Sequence, residues 1–452
     1  MSLPRGFAND DAYFRAAVDF LHQHSWIYRE ANTSCLKSFD AMPGYMKDYF
    51  LELTNDQLNI FPFVQEPLGE CPKEVLRFRQ EIANLTPTQA AAAAPAGDMP
   101  GNATRNNCKM STKKLHEIDK LATHIHEHCP DTKFIVDLGS GLGYLSEALL
   151  KLNDNYLILG LEADEKRVHT ARQRSQTAAN ANSISYEQLF ITADASCCAR
   201  IQEYAAALGL EQAPTALIGL HACADLSISA MLLFLRMPQV RCLHIMPCCY
   251  HKLALSADAC SFVNFPLSRA LKEAMSTVSA ACFNRPFLRL ACQQTNSRWQ
   301  SDGQAHVEHG KQMFARALAA ALCDDDELTR VRRPGKAQTD CHDWQTFANI
   351  KHKYQLHSRQ TGLALDWRPI HESRFDAISQ LYANGRGACL AEALTCLQAS
   401  IQLLCENVLL YDRLCYLREL AAAQQLRLTV RYEKLFDEKL SPRCHVLIAE
   451  KL

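Results

Sequence analysis

A glycine-spaced turn between an apolar run and a helix-like pattern constrains this chain more than any other feature. Residues 134–150 read FIVDLGSGLGYLSEALL, in which Asp137 ends the apolar run and Gly139, Gly141 and Gly143 follow at every second position. This pattern predicts a buried strand, a tight turn and a helix whose first N–H groups point toward a ligand. Because glycine lets the backbone approach a ligand without a Cβ atom in the way, the sequence predicts a nucleotide-like cofactor at this turn.

Three kinds of cofactor turn and one purely structural turn compete for this segment. A dinucleotide fingerprint requires G-x-G-x-x-G, but here the third glycine comes one residue early and Tyr144 occupies the required place. A phosphate-binding Walker A loop requires a Lys-Ser/Thr pair after its last glycine, and none follows Gly143. The remaining spacing, G-x-G-x-G preceded by an aspartate, resembles the first motif of class I S-adenosylmethionine-dependent methyltransferases. The sequence therefore favours S-adenosylmethionine as the cofactor.

Acidic residues end the next two predicted strands. Glu162 lies about 20 residues past the glycines, where an acid can accept hydrogen bonds from both ribose hydroxyls of an adenosyl group. Asp194 is expected to end the third strand, where an acid can accept a hydrogen bond from an adenine amino group. The alternatives are a solvated strand end for Glu162 and a helix N-cap for Asp194, since Asp-Ala-Ser-Cys precedes a predicted helix. Asp194 can serve both purposes.

Strand and helix patterns alternate through the middle of the chain. Apolar runs that do not alternate with polar residues predict a parallel sheet covered by helices on both faces. The predicted strand runs are 134–139, 156–164, 184–194, 215–226 and 241–250, and the predicted helices are 144–152, 165–179, 199–208 and 227–235. Two further strand-like runs, 426–436 and 444–452, predict a terminal hairpin. The expected fold class is α/β, a Rossmann-like class I methyltransferase sheet with a terminal β-hairpin.

The pattern also predicts how the rest of the chain is organised around that sheet. We expect a helical N-terminal region and a large insertion before the last helix, which should be long and amphipathic. The predicted boundaries are 1–85 for the helical region, 86–107 for a flexible linker rich in Ala, Pro and Gly, 108–255 for the first five βα units, 256–390 for a partly helical and basic insertion, and 391–452 for the last helix and hairpin.

Composition excludes some classes of protein and leaves others open. The net charge is −1 at pH 7, so any surface that binds nucleic acid must be local. The insertion offers a candidate for such a surface, or else a solvated loop balanced by the acidic run 324–326. The basic residues of this candidate surface are Arg330, Arg332, Arg333, Lys336, Lys351 and Lys353.

The cysteines and apolar runs bear on the compartment. The chain has 20 cysteines, and its first residues lack a basic region followed by an apolar run, which predicts no signal peptide. The cysteines are therefore expected to be reduced. No stretch reaches about 18 uninterrupted apolar residues. We expect no membrane partner and an intracellular, cytoplasmic protein, with a nuclear location as a second possibility.

Unusual polar residues end the fourth and fifth predicted strands. The fourth ends in HACAD, which includes His221 and Asp225, and the fifth ends in PCCYHK, which includes Tyr250 and His251. Ligands of such sheets bind beyond the carboxyl ends of the strands. One interpretation gives His221, Asp225, Tyr250 and His251 catalytic roles, in positioning the methyl acceptor or taking its proton. The other treats them as hydrogen-bonded structural residues. The sequence favours the catalytic interpretation.

The cysteines beside these residues have a separate interpretation. Cys223, Cys248, Cys249 and His251 offer ligand types that zinc prefers, but structural zinc sites use C-x₂₋₄-C pairs, and Cys248 and Cys249 are adjacent. Buried core cysteines are the favoured alternative, so no metal is expected.

Six motifs in order resemble the methyltransferase-like protein 25 family, including its B branch, which carries a label naming a ribosomal-RNA-adenine-dimethylase-like domain. The resemblance covers roughly residues 105–452. Its motifs are KMSTKKLHEI, VDLGSGLGYLS, GLHACADL, MPCCYHKL, FPLS and YDRLCYLREL…LSPRCHVLIAEK. The chain departs from the family pattern at Thr112, where proline is usual, and at Ala224, where glycine is usual. The strand ends also resemble, in part, transfer-RNA 2′-O-methyltransferases. The signature that adenine dimethylases carry after the fourth strand is absent.

The resemblance implies a methyltransferase that uses S-adenosylmethionine. In this chain Asp137, Gly139, Gly141 and Gly143 would hold the methionine part, Glu162 the ribose and Asp194 the adenine, and Lys114 or Lys113 would close over the carboxylate. His221 or His251 would act as the base. The acceptor is left open: RNA is favoured, protein is the second candidate, and a noncatalytic binding module that retains the fold is the alternative to an enzyme.

Overall fold

The structure, a computed structural model, describes residues 1–87, 110–176, 181–293, 299, 303–323, 329–332, 345–438 and 440–452. Nearly all of the predicted linker, from residue 88 onward, lies outside the described residues, as do Arg333, Lys336 and the acidic run 324–326. The strands are β1 (Phe134–Leu138), β2 (Leu157–Glu162), β3 (Ile184–Gln188), β4 (Thr215–Cys223), β5 (Val240–Cys248), β6 (Thr329–Arg332), β7 (Gln355–Ser358), β8 (Ala364–Leu365), β9 (Leu428–Lys434) and β10 (His445–Lys451).

The helices alternate with the first five strands and then dominate the second half of the chain. They are α1 (Asp10–Gln23), α2 (Cys35–Ala41), α3 (Gly44–Glu52), α4 (Asn55–Ile60), α5 (Lys73–Leu85), α6 (Thr112–His128), α7 (Tyr144–Leu152), α8 (Glu165–Gln176), α9 (Ala195–Ala207), α10 (Leu226–Arg236), α11 (Arg269–Met275), α12 (Arg285–Leu290), α13 (Gly303–Ala321), α14 (Phe347–Lys353), α15 (Pro369–Leu381) and α16 (Arg386–Ala423).

Seven strands form the central sheet in the order β3-β2-β1-β4-β5-β10-β9. Strands β1 to β5 pair in parallel, whereas β10 runs antiparallel to both β5 and β9. The predicted Rossmann-like sheet and the terminal hairpin are therefore confirmed. All five residues of β1 are buried, because this central strand has helices on both of its faces.

Two hydrophobic cores flank the sheet. The first lies under α6, α7 and α8. The second lies under α9, α10 and α16, and it continues without a break into the N-terminal helices. The predicted helical character of residues 1–85 is present in α1 to α5, and these helices share a core with the sheet.

Helix α16 differs from its prediction. We expected an amphipathic helix from residue 391, but α16 begins at Arg386 and carries buried residues around most of its circumference from Leu390 to Leu417. The reason is that α1 to α5 and α13 pack against the side that would otherwise face solvent. Among the described residues, α16 is also long and apolar enough to cross a membrane, but 72% of its most apolar window is buried inside the fold.

Buried polar groups on α16 hold the insertion in place. The Asp412 carboxylate accepts hydrogen bonds from the N–H groups of Leu267 and Ser268, at 2.9 and 2.8 Å, and from the Ser268 hydroxyl at 2.6 Å. Burial raises the pKa of Asp412 to about 6, although these three donors oppose the rise. The insertion itself contains α11 to α15 and a separate sheet, β6-β7-β8.

The third strand is shorter than predicted, and this correction affects the site. Strand β3 ends at Gln188, not at Asp194, and residues 189–193 form a loop in which Phe190 is 77% exposed. An aromatic residue that the sequence pattern assigns to a buried strand therefore lies at the surface.

Candidate functional site

A cavity of about 760 Å³ opens at the carboxyl ends of the parallel strands. It lies where the sheet order reverses: the chain passes from β1 outward to β2 and β3, then returns to β4 on the other side of β1. Such switch points are where α/β sheets bind their ligands. The lining includes the glycine turn, Glu162, the 189–193 loop and the end of β4, so the structure brings most of the predicted residues together.

The glycine turn is shaped by backbone requirements that differ from one glycine to the next. Gly139 has φ +73°, and a Cβ atom there would lie 2.9 Å from the side chain of Leu226. Gly143 has φ +82°, and its Cβ atom would overlap the hydroxyl of Tyr186. Gly141, at φ +58°, lines the cavity and has open space beside it. Gly139 and Gly141 line the cavity, whereas Gly143 does not, and its role is to let α7 begin against Tyr186.

Glu162 joins the end of β2 to the glycine turn. Its Oε2 atom accepts a hydrogen bond from the Gly141 N–H at 3.0 Å, and its Oε1 atom accepts one from the Asp164 N–H at 3.1 Å. The Arg167 guanidinium lies 3.9 Å from Oε1. Only 8% of the residue is exposed. Because each carboxylate oxygen has two lone pairs, each keeps one acceptor position beside the cavity.

Asp137 lies deeper, at the end of β1. It is 2% exposed and accepts a hydrogen bond from the Ser146 hydroxyl at 2.8 Å. Burial raises the pKa of Asp137 to about 7, with the nearby Glu162 charge adding to the rise and Ser146 opposing it. Asp137 also lines the cavity. Near neutral pH its carboxyl group is therefore present in both the protonated and the ionised form.

The two lysines before the first core helix take different places. Lys114 lines the cavity, and its ammonium lies 4.1 Å from the centre of the Tyr144 ring. Lys113 lies 3.8 Å from Glu117, one helical turn further along. Position thus favours Lys114 over Lys113 as the residue near a cofactor carboxylate.

Asp194 does not line the cavity. Its carboxylate caps α9, accepting hydrogen bonds from the Cys197 N–H at 2.9 Å and the Ser196 hydroxyl at 2.8 Å. The hydrogen bond from the Cys197 N–H, followed by that from Ser196, lowers the pKa of Asp194. The 189–193 loop lines the cavity in its place. The N-cap alternative accounts for Asp194, and its adenine contact remains a prediction.

His221 faces the cavity with a buried partner behind it. Its Nε2 atom lies 3.3 Å from Glu117, whose side chain is 1% exposed and whose other oxygen accepts a hydrogen bond from the Ser441 hydroxyl at 2.6 Å. Although burial alone would raise the pKa of Glu117, the close His221 ring, the hydrogen bond from Ser441 and the Lys113 charge lower it. A carboxylate behind a histidine can fix the orientation of the ring.

Sequence reasoning missed Glu117, although the sequence contained a signal for it. Residues 109–128 have Leu115, Ile118, Leu121 and Ile125 at helical spacing, which predicts a helix with these residues on its buried face. Glu117 stands beside Ile118 and one turn before Leu121. A single carboxylate on an apolar face requires a partner. The partner Ser441 comes from the loop between β9 and β10, more than 300 residues away, and no local pattern indicates it.

The other three predicted catalytic residues divide between the cavity and the core. Asp225 lines the cavity, and its two oxygens accept hydrogen bonds from the Ala254 N–H and the Asn264 amide, at 3.0 and 2.8 Å. Tyr250 is 1% exposed and lies against α16, 3.3 Å from Glu406. His251 lies 3.4 Å from Cys292. Neither Tyr250 nor His251 lines the cavity, because the turn after β5 directs them toward α16 and α12. Their location therefore does not support the catalytic roles predicted for them.

Three cysteines gather at the ends of β4 and β5. The thiol sulfurs of Cys223, Cys248 and Cys249 all lie within 4.8 Å of one another. Cys223 and Cys248 are 3.0 Å apart. The hydrogen bond from Cys248 lowers the pKa of Cys249 to about 5, and the Arg443 and Lys252 charges favour the same thiolate.

Comparison with known proteins identifies the part of the chain that contains this cavity. Residues 113–256 match a family model described as a methyltransferase domain. This segment is similar to methyltransferase domains. It includes the glycine turn, Glu162, Glu117 and His221, whereas Ser441 lies outside it, on the terminal hairpin.

The chain is also similar to two curated proteins. The chain is 27% identical over 293 residues to a mouse protein described as probable methyltransferase-like protein 25, covering 62% of this chain and 44% of that protein. The chain is 25% identical over 289 residues to the human protein of the same description. This match covers 62% of this chain and 43% of the human protein. The chain thus spans less than half the length of the curated relatives it matches.

Solved structures give a weaker likeness. The plantazolicin methyltransferase BpumL, in complex with a monoazolic desmethylPZN analog and SAH, is 12% identical with a TM-score of 0.22, covering 53% of this chain and 74% of that one. The match to BpumL in complex with SAH covers 68% of this chain and 90% of that one, with a TM-score of 0.21.

Proposed function

We propose that this protein is an S-adenosylmethionine-dependent methyltransferase. The observation that carries the proposal is the cavity at the switch point of a methyltransferase domain, where the open Gly141 position and the Glu162 carboxylate meet. When bound, S-adenosylmethionine would supply a methyl group on a positively charged sulfur. The chain's own residues then have to hold the nucleoside and align an acceptor, since positioning accounts for much of the rate gain in such transfers.

The residues of the cavity suit the parts of such a ligand. Glu162 has acceptor positions left for two ribose hydroxyls, and the space beside Gly141 admits a ligand close to the backbone. Lys114 supplies a positive charge on the cavity wall for a carboxylate, and Asp137 supplies an acceptor for an amino group. The exposed Phe190 ring, in the 189–193 loop, offers an apolar face to an adenine.

Calorimetry tests the cofactor claim. The full chain is titrated with S-adenosylmethionine, S-adenosylhomocysteine, ATP and NAD, and the same titrations are run with Gly141→Arg. We expect the two sulfur nucleosides to bind the wild type and not the variant, because an arginine at this position fills the open space. Tight binding of NAD or ATP, with no binding of either sulfur nucleoside, would contradict the proposal.

A base beside the cavity points to an acceptor that loses a proton. His221 and Glu117 form a pair in which the histidine can take a proton and the buried carboxylate can stabilise the resulting charge. We propose that His221 is the base and that Glu117 is its positioning residue. Hydroxyl, imidazole and ammonium groups all have a proton to give up, so this pair supports an enzyme over a binding module that merely keeps the fold.

We propose RNA as the acceptor class. The support is the local basic character of the insertion, where Arg330 and Arg332 lie on β6 and Lys351 and Lys353 lie on α14, within a chain of net charge −1. Four phosphate contacts predict that log affinity for single-stranded RNA falls with log salt at a slope of about −3, from about 0.7 per phosphate.

Salt titration of RNA binding tests this acceptor class. We expect Arg332→Gln to reduce the slope by about 0.7, and Arg200→Gln, an exposed arginine on α9 that serves as control, to leave it unchanged. A flat salt response of the wild type would exclude RNA in favour of protein, the second candidate.

A further inference from the structure

We propose that Cys223, Cys248 and Cys249 bind a zinc ion at the edge of the cavity. Their three sulfurs lie within 4.8 Å of one another. In a tetrahedral zinc site with Zn–S bonds of about 2.3 Å, sulfurs are separated by about 3.8 Å. The cluster therefore has the dimensions of a zinc site, and small side-chain rotations would equalise its spacings.

The sheet itself creates this cluster. Cys223 and Cys248 are register partners, Ala222 pairing with Pro247 and Cys223 with Cys248 at the ends of two parallel strands. Register partners point to the same face of a sheet. The two residues are 25 apart in sequence, so a search for C-x₂₋₄-C pairs cannot detect the site, and the objection raised by the adjacent Cys248 and Cys249 applies only to local motifs.

The third cysteine is brought in by an unusual backbone conformation. Cys249 has φ +52° and ψ +43°, the left-handed region, which is strained for a residue with a Cβ atom. This turn sends Cys249 back toward the other two instead of continuing β5. Left-handed non-glycine residues cluster at ligand sites, where the surrounding structure imposes them.

The coordination that remains suggests what the ion would do. Among the described residues, no fourth His, Cys, Asp or Glu donor lies within the same reach. Structural zinc sites have four protein ligands, whereas catalytic sites have three and keep a position open for water or substrate. Cys223 also lines the cavity. Resting on the methyl transfer proposed above, we assign the open position to water or to a hydroxyl of the acceptor, whose proton zinc would make easier to remove.

The nearest rival is a disulfide between Cys223 and Cys248, which lie 3.0 Å apart. It would use two of the three thiols and leave Cys249 in its left-handed conformation without a function. The zinc site uses all three. The two can be separated experimentally, because a disulfide has no metal and a zinc thiolate site has no free thiol to oxidise.

Metal analysis of the full chain tests the proposal without any cofactor. The protein is purified under reducing conditions, incubated with excess zinc, dialysed and analysed by elemental mass spectrometry and zinc-edge X-ray absorption. We expect one zinc per chain, bound by three sulfurs at about 2.3 Å and one lighter atom. Less than about a tenth of an equivalent, or fewer than three sulfurs around the ion, would overturn the proposal.

Matched cysteine variants locate the ion. Cys249→Ser and Cys223→Ser should weaken zinc binding at least about 100-fold, since loss of a second-shell partner alone costs 10- to 100-fold. Cys260→Ser, an exposed cysteine on the following loop, should retain one zinc. Circular dichroism confirms that each variant is folded. Equal zinc content in folded Cys223→Ser, Cys249→Ser and wild type would refute the site, and cofactor calorimetry remains a separate measurement that the zinc result does not decide.

Discussion

Replacing Glu162 by glutamine tests how the cofactor would be held. The substitution keeps the size and shape of the side chain and removes its charge. In the native chain each carboxylate oxygen accepts one backbone N–H, from Gly141 on one side and Asp164 on the other. Glutamine has a single acceptor oxygen, so its NH₂ group must face one of these two N–H groups. One hydrogen bond is lost, and the ligand loses one of its acceptors.

The expected magnitude follows from that count. A hydrogen bond to a charged group contributes roughly 1.5–3 kcal/mol, and each 1.4 kcal/mol corresponds to a tenfold change in Kd. If one such bond to the ribose is lost, the Kd for S-adenosylhomocysteine should rise roughly 10- to 150-fold. The free energy of unfolding should fall by about 1–3 kcal/mol, because a buried N–H group is left facing a donor.

Calorimetry with S-adenosylhomocysteine measures the first effect, and urea denaturation measures the second. Glu165→Gln removes an exposed carboxylate three residues away and serves as the control, with both quantities unchanged. A folded Glu162→Gln protein whose Kd stays within twofold of the wild type would refute the assignment of Glu162 to the ribose.

Four further predictions test the rest of the account. Glu117→Gln should lower kcat roughly 10- to 100-fold with cofactor affinity unchanged in calorimetry; an unchanged kcat would remove Glu117 from the site. Gly143→Ala should destabilise the fold by at least about 2 kcal/mol more than Gly209→Ala in urea denaturation, because both residues have positive φ but Gly209 has open space around it; equal losses would contradict the predicted overlap. Asp412→Ala should cost roughly 3–5 kcal/mol of unfolding free energy, since it leaves three buried donors without their acceptor; a loss below about 1 kcal/mol would contradict that prediction. Burial lowers the pKa of His244 to about 3. The folded chain therefore keeps this ring neutral, whereas the unfolded chain protonates it below about pH 6.5. The free energy of unfolding thus decreases as the pH is lowered from about 6.5 toward 3. Between pH 6 and pH 5 the wild type should therefore lose about 1.2 kcal/mol more than His244→Phe, and parallel pH curves for the two proteins would refute this.

The sequence predicted the parts of the fold that depend on local patterns. The predicted helix at 144–152 coincides with α7, and the order of five strands and helices is correct because each apolar run is bounded by turn residues. The predicted end of β3 was wrong because Leu189, Phe190 and Ile191 continue an apolar pattern after the strand has ended. The surface exposure of Phe190 depends on the cavity and not on its neighbours in sequence.

The same distinction applies to the site. The places of Glu162, Gly139 and Gly141 at the cavity could be predicted because a strand, a turn and a helix that are adjacent in sequence bring them together. Glu117, which contacts His221, and Ser441, which contacts Glu117, could not be predicted, because Glu117 comes from the helix before the sheet and Ser441 from the terminal hairpin. Tyr250 was assigned to the site from its place after β5. Only the turn there, with Cys249 in the left-handed region, directs it into the core.

Transfer of a labelled methyl group tests the central claim most directly. Purified protein is incubated with tritiated S-adenosylmethionine and an extract from cells that lack the protein, and the labelled material is divided by its sensitivity to nuclease and to protease. The account predicts macromolecular label with the wild type, none with Gly141→Arg, and loss of the label after ribonuclease treatment. Equal label with wild type, Gly141→Arg and no added protein, from a chain that is folded, would contradict the claim that it is a methyltransferase.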